Sequence, residues 1–117
     1  VQRQIERSQQ EALRLYIDLM DRAEYFEAHE VLEAAWYPLR KEQSASNLLL
    51  KGLINGAVAL EHIKRGKPGA EDRAQRVMGS FRRGMILLQE QTAKEAEYFQ
   101  KAYERVFELM NEKGVHF

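Results

Sequence analysis

Cysteine is absent from the 117-residue chain. That excludes a disulfide scaffold, a thiolate zinc knuckle and a cysteine nucleophile, and it fits a reducing, cytoplasmic setting. Proline is nearly absent: only Pro38 and Pro68 occur, so few positions force a helix to break. No apolar stretch is long enough to cross a bilayer as a helix. No basic segment followed by an apolar run opens the chain, as a secretion signal would. Net charge is missing too, because 18 basic residues cancel 18 acidic ones. A generic nucleic-acid binder would carry a large positive balance, so nucleic acid is not the expected partner. The Gly-x-Ser-x-Gly elbow of serine hydrolases is missing, and so is the Glu-x-x-His signature of ferritin-like dimetal centres. What is present is an apolar fraction of 44%, enough for a core, in a length that suits one domain.

Apolar residues recur at helical spacing throughout, and no stretch alternates long enough to read as a strand. The pattern predicts an all-α, compact antiparallel bundle of about five helices, because short loops set successive helices side by side. The first runs from about Gln2 to Asp21, with Ile5, Ala12, Leu13, Tyr16, Leu19 and Met20 inward. The second covers roughly Tyr25 to Leu39, where Pro38 distorts or ends it. A polar loop over 42–47 offers caps, and the most apolar helix follows from about Leu48 to Arg65. Gly66-Lys67-Pro68-Gly69 is a turn. The fourth helix runs from about Ala70 to Glu90 on Ala74, Val77, Met78, Phe81, Met85 and Leu88. The fifth runs from about Ala93 to Asn111 on Phe99, Ala102, Tyr103, Val106, Phe107 and Met110, and Gly114 ends it. No Gly or Pro lies between Gly84 and Gly114, which leaves one long bent helix as an alternative for the last two.

Charge is segregated along the chain. Glu24, Glu27, Glu30 and Glu33 form a stretch with no base among them, while Lys64, Arg65, Lys67, Arg73, Arg76, Arg82 and Arg83 dominate a later one. The two could face each other within the fold or across a dimer, or each could be a solvated face.

The second helix carries His29-Glu30-Val31-Leu32-Glu33. At about 100° per residue, His29 and Glu33 fall one turn apart at the edge of the apolar stripe, with Glu30 about 60° away. An i, i+4 pair can hold one metal ion, as in the zinc motif His-Glu-x-x-His. His29 and Glu33 are then candidate ligands and Glu30 the base that activates a bound water. A carboxylate in place of the second histidine makes the site harder and brings Mn, Fe or Mg into range beside Zn. A third ligand is needed, and His62 on the third helix is the leading candidate. Gly52, Gly56 and Ala59 lie near its stripe, where another helix could approach closely. If the second helix packs there, His62 meets the His29 cluster. His116 is one residue from the end of the sequence and is set aside as a ligand, because terminal residues are commonly poorly ordered.

Phe26-Glu27-Ala28-His29-Glu30-Val31-Leu32-Glu33 with Trp36, then Lys51-Gly52-Leu53-Ile54-Asn55-Gly56-Ala57-Val58-Ala59-Leu60, His62 and Arg65-Gly66, resembles the small prokaryotic family catalogued as domain of unknown function 309. The resemblance covers about Leu19 to Ala70. The first motif matches throughout. In the second, Lys51 stands where glutamine is common, Asn55 where glutamine is usual and Lys67 where asparagine is usual. The resemblance implies an all-α multihelical fold. The family is labelled a predicted metal-dependent hydrolase, and by that analogy His29, Glu30, Glu33 and His62 form the site, with Glu27, Trp36 and Asn55 nearby.

Two functions follow. In the first, the protein is a hydrolase assisted by a divalent metal ion (Zn, Mn or Fe) on His29, Glu33 and His62, with Glu30 as general base. In the second, it is a non-enzymatic helical interaction module, for instance a homo-oligomer, whose partner is a small molecule or a protein. Its His/Glu cluster is then a polar network that fixes helix register.

Overall fold

Ser44 is the clearest helix start in the chain. Its backbone is extended and its hydroxyl accepts from the Asn47 amide at 3.2 Å, satisfying one of the unpaired amides of a new helix. The helix it opens ends at Gly66, whose φ of 63° is the left-handed conformation that closes a helix at little strain. Between these ends nearly every side is apolar, so this helix must be covered on all faces. Leu50, Leu53, Ala57, Ala59 and Leu60 are fully buried, and the rest of the chain is arranged around them.

The computed structural model describes residues 2–90 and 96–115, with side chains over 8–90 and 97–115. Its elements are α1 (Gln2–Asp21), α2 (Tyr25–Trp36), a 3₁₀ turn (Tyr37–Leu39), α3 (Ala45–Arg65), α4 (Ala70–Val77), α5 (Gly79–Glu90) and α6 (Ala96–Glu112). No strand occurs among the described residues. Helix α3 is central: α2 packs on it from one side, α4 and α5 from another, and α6 also reaches it, while α1 bridges α2 and α6. Ile5 and His116 lie outside the described side chains.

The expected all-α architecture is present, with the fourth helical run broken in two. Met78 stands between α4 and α5, its amide bonded back to Gln75 in a tighter turn. The apolar stripe continues through the break, since Ala74, Met78 and Phe81 are all buried, so periodicity alone does not reveal it. Pro38 ends α2 inside the 3₁₀ turn, as its ring requires. Helix α6 folds back onto α5, because Tyr103 stacks on Phe81 with ring centroids 4.9 Å apart. One straight helix would hold those residues about 33 Å apart, so a continuous helix is excluded. On α6 the buried face is Phe99, Ala102, Tyr103, Val106, Leu109 and Met110. Phe107, expected inward, is 37% exposed at the edge of that face, and Leu109 takes the core position.

Buried polar groups tie the helices together. The Tyr16 hydroxyl of α1 donates to the Leu53 carbonyl of α3 at 2.8 Å, and the Tyr103 hydroxyl of α6 donates to the Leu49 carbonyl at 2.7 Å. Burial pushes both phenols well above their usual pKa, and a charge on Tyr103 would raise Tyr16 further. Trp36 donates from its indole to Asn47 Oδ1 at 2.7 Å, while Asn47 Nδ2 donates to the carbonyls of Leu39 and Glu42. Asn55 donates to the Ser80 hydroxyl, joining α3 to α5. No buried side-chain nitrogen or oxygen among the described residues lacks a partner.

Candidate functional site

The turn from α1 to α2 sets the position of the first candidate residues. Ala23 takes a left-handed φ of 57°, and the Glu24 amide reaches back to the Leu19 carbonyl at 2.9 Å. A non-glycine residue in that conformation carries strain of about 1 kcal/mol or more. The turn is held from outside: Lys64, in the last turn of α3, donates to the Ala23 carbonyl at 2.8 Å. Helix α2 therefore starts beside the end of α3, with Tyr25 buried against the core.

From this start, Tyr25, Phe26 and His29 of α2 face Val58, Glu61, His62 and Arg65 of α3 across a cleft of about 230 Å³. The α3 residues follow i, i+3, i+4, i+7 spacing, a single helical face. Its floor and walls are apolar or aromatic (Tyr25, Phe26, Val58), and two imidazoles, a carboxylate and a guanidinium reach it from both helices. Arg65 Nε donates to Glu61 Oε1 at 2.9 Å along α3. Burial raises the Tyr25 hydroxyl above its ordinary range; Glu112 and Glu61 push the same way and Arg105 opposes them.

His29 and Glu33 meet as the spacing requires, with Nε2 2.7 Å from Oε2. The other ring nitrogen, Nδ1, lies 3.3 Å from the Phe26 carbonyl oxygen. Both neighbours are acceptors on the same helix, so the ring's polar contacts run along α2 and not across to α3. The His29 side chain is 22% exposed and that of Glu33 52%. Glu33 and Glu30 are not among the residues that line the cleft, and Glu30 is exposed.

The remaining candidates scatter. His62 lies on the same cleft as His29, although the glycines are not the reason. A side chain at Gly52 would run into the Tyr103 hydroxyl and the Ser80 backbone, and one at Gly56 would meet Val106 and Phe81. The glycine face of α3 thus receives α5 and α6, while α2 packs on a different face. Asn55 points to Ser80 on that other side, and Trp36 is engaged by Asn47; neither lines the cleft. Glu27 is exposed and also lies off the cleft. Tyr25, Phe26, Val58, Glu61 and Arg65 are cleft residues that the sequence reading did not assign to a site. The one available signal was the stripe 58, 61, 62, 65 on α3.

A metal ion needs three or more protein donors around one point. Among the described residues no group of three or more His, Cys, Asp or Glu side chains is placed to hold one. His29, Glu33 and His62 as they stand do not make a three-ligand centre. No helix among the described residues is long and apolar enough to cross a membrane. No curated protein and no solved structure matches the chain. The family model described as Domain of unknown function (DUF309) matches residues 13–73, from the inner half of α1 through both walls of the cleft into α4, which is more than half of the chain, and the chain belongs to that family.

Proposed function

We propose that this domain is a non-enzymatic helical binding module whose α2–α3 cleft takes a small organic ligand with an anionic head and a flat apolar body. The observation that carries the reading is the convergence of His29 and His62, from two helices, on one opening walled by Tyr25, Phe26 and Val58. A concave apolar pocket with a few polar groups from separate elements is the general form of a small-molecule site. The donors left in the cleft for a ligand are the remaining N–H groups of the Arg65 guanidinium, of which Nε is bonded to Glu61, and one N–H of the His62 ring, since both His29 nitrogens already face acceptors on α2. Its one carboxylate, Glu61, already accepts from Arg65. An anionic head is therefore favoured, and the cleft volume of about 230 Å³ limits the ligand to a small one.

Benzoate and its hydroxylated relatives are suitable probes. Titrated into the wild-type protein under NMR observation, they are expected to shift amides of α2 and α3 around the cleft, and to lose that effect in His29→Ala and His62→Ala. Saturable shifts unchanged in both variants, or none in the wild type, would overturn the reading.

A metal-dependent hydrolase is the second reading, and one observation favours it. His29 and Glu33 sit one turn apart on α2 with Nε2 2.7 Å from Oε2, a hydrogen-bonding contact that would have to open to about 3.4 Å for both to bind one tetrahedral ion at about 2.0–2.2 Å. It requires His62 to swing to that point. Metal analysis of untagged protein purified without chelators separates the two. A stoichiometric ion, lost in both His29→Ala and His62→Ala, supports the hydrolase. Its absence after incubation with Zn, Mn or Fe leaves the organic-ligand reading.

A further inference from the structure

Glu61 is the most shielded acid among the described side chains. Those of the other paired carboxylates, on Asp21, Glu24, Glu33, Glu97 and Glu108, are 45–64% exposed, whereas that of Glu61 is 19% exposed. The unpaired acids are all exposed. A carboxylate drawn this far from water needs donors on both oxygens. Glu61 has one: Arg65 Nε reaches Oε1 at 2.9 Å, and no donor from the described residues reaches Oε2.

The position of Glu61 turns that shortfall toward the cleft. It stands on the α3 wall between Val58 and Arg65, one turn from each, and lines the opening beside His62. Tyr25 and Phe26 form the facing wall from α2. The Glu61 charge is felt by the Tyr25 phenol, whose pKa burial and Glu112 already raise. In the open cleft solvent still reaches the carboxylate. A ligand that fills the cleft strips that solvent away. A purely apolar body then leaves Oε2 facing carbon, at the desolvation cost of an ionised group. A hydroxyl or amino group on the same body replaces the lost solvent with a direct, charge-assisted hydrogen bond.

We propose that the α2–α3 cleft selects acids that carry a hydroxyl or amino donor on their apolar body, and that Glu61 is the residue that reads this donor. The inference deepens the small-molecule reading of the cleft and rests on it. Three side chains of α3 then divide the ligand among them. Arg65 keeps its terminal N–H groups for the anionic head, since Glu61 engages only Nε. His62 adds one ring N–H from the same wall. Glu61 accepts from the donor. Because Glu61 and Arg65 are bonded to each other, the donor lies on the same side of the ligand as the head. A second carboxylate in its place would meet Glu61 as a like charge and be rejected.

Affinities from NMR titrations of benzoate, 3-hydroxybenzoate, 3-aminobenzoate and 3-methoxybenzoate into the wild type and Glu61→Ala test it. The wild type is expected to bind the hydroxy and amino compounds about 10-fold more tightly than benzoate. The methoxy compound has the added bulk but no donor, and is expected to gain nothing. In Glu61→Ala the preference is expected to shrink to within about twofold. A Glu61 that only orients Arg65 would change all four affinities by one common factor. An unchanged preference in Glu61→Ala would therefore overturn the proposal. A wild type that binds all four compounds alike would overturn it too, while leaving the cleft a small-molecule site. Absence of binding by all four would overturn both the proposal and that reading. Circular dichroism checks that the variant folds. Should Glu61→Ala unfold, Glu61→Gln replaces it: its amide oxygen is an uncharged, weaker acceptor, so the preference is expected to fall about threefold, and an unchanged preference there would equally overturn the proposal.

Discussion

The seams between the helices and the α2–α3 cleft both hold polar side chains, but they use them differently. At the seams, the hydrogen bonds of Tyr16, Asn47, Asn55 and Tyr103 join residues 37, 11, 25 and 54 positions apart in sequence. They are buried or half-buried, and each crosses from one element to another. At the cleft, His29 with Glu33 and Arg65 with Glu61 are i, i+4 pairs within one helix, facing water on at least one side. A bond that spans the fold is lost only if helices move apart. A bond within one turn can be exchanged for a ligand without moving any backbone. The bonds that cross between helices are thus those of the seams, while the polar pairs of the cleft stay within single helices.

The largest effect on this contrast is expected at Gly84. A Cβ there would run into the Tyr103 hydroxyl and lie 2.6 Å from Cζ of the same ring. The ring cannot retreat easily, because it is stacked on Phe81 and its hydroxyl is bonded to Leu49. Alanine gains about 1 kcal/mol of helix propensity over glycine. Overpacking costs about 1–3 kcal/mol, and losing the tyrosine bond adds about 1 kcal/mol. Gly84→Ala is therefore expected to destabilise the chain by about 2 kcal/mol net in a denaturant titration. Tyr103→Phe in the same chain should recover only part of it, because the ring carbons still collide. A neutral Gly84→Ala would mean that the α5–α6 seam is soft.

Asn47 comes next. It accepts from the Trp36 indole at 2.7 Å and donates to Leu39 and Glu42 at 2.8 and 2.6 Å. Three partly exposed hydrogen bonds, each at the low end of about 0.5 kcal/mol, put Asn47→Ala at about 1.5 kcal/mol. Asn47→Asp keeps an acceptor for Trp36 but sets a carboxylate against two carbonyl oxygens, so it is expected to be no better than alanine. Trp36 is the sole tryptophan, and its emission reports directly on whether the turn after α2 has opened. A variant that unfolds at wild-type denaturant concentration would remove Asn47 from the set of seam residues.

What the sequence made legible follows the same division. Helix positions and most of the core were readable because apolar side chains repeat at local helical spacing, as on α1 with Leu13, Tyr16 and Met20. The meeting of His29 and Glu33 was readable for the same reason. Which helix covers which face is set by distant residues and was not readable. The glycines of α3 promised a close approach, and they have one, but it is made by Tyr103, Phe81 and Val106 and not by α2. His62 reaches the cleft from another face of α3. The break at Met78 stayed hidden because the apolar stripe runs straight through it. Phe107 and Leu109 lie on opposite edges of the α6 stripe, about 160° apart around the helix, and which edge is covered is decided by the packing of α6, where Leu109 is buried and Phe107 is not.

The smallest stability effect is expected at the cleft, and it is the sharpest check on the contrast. His29→Ala removes an i, i+4 pair whose glutamate is 52% exposed. Such pairs contribute about 0.3–0.5 kcal/mol in water, and alanine returns a similar amount through better helix propensity. The Phe26 carbonyl that faces Nδ1 stays within α2, at a position where water can replace the ring. The melting profile of His29→Ala should therefore match the wild type within about 0.5 kcal/mol, even as any ligand effect at the cleft disappears. A loss of about 2 kcal/mol would place His29 with Asn47 and Tyr103 as a group the fold needs, and the cleft would then be a seam that happens to be open.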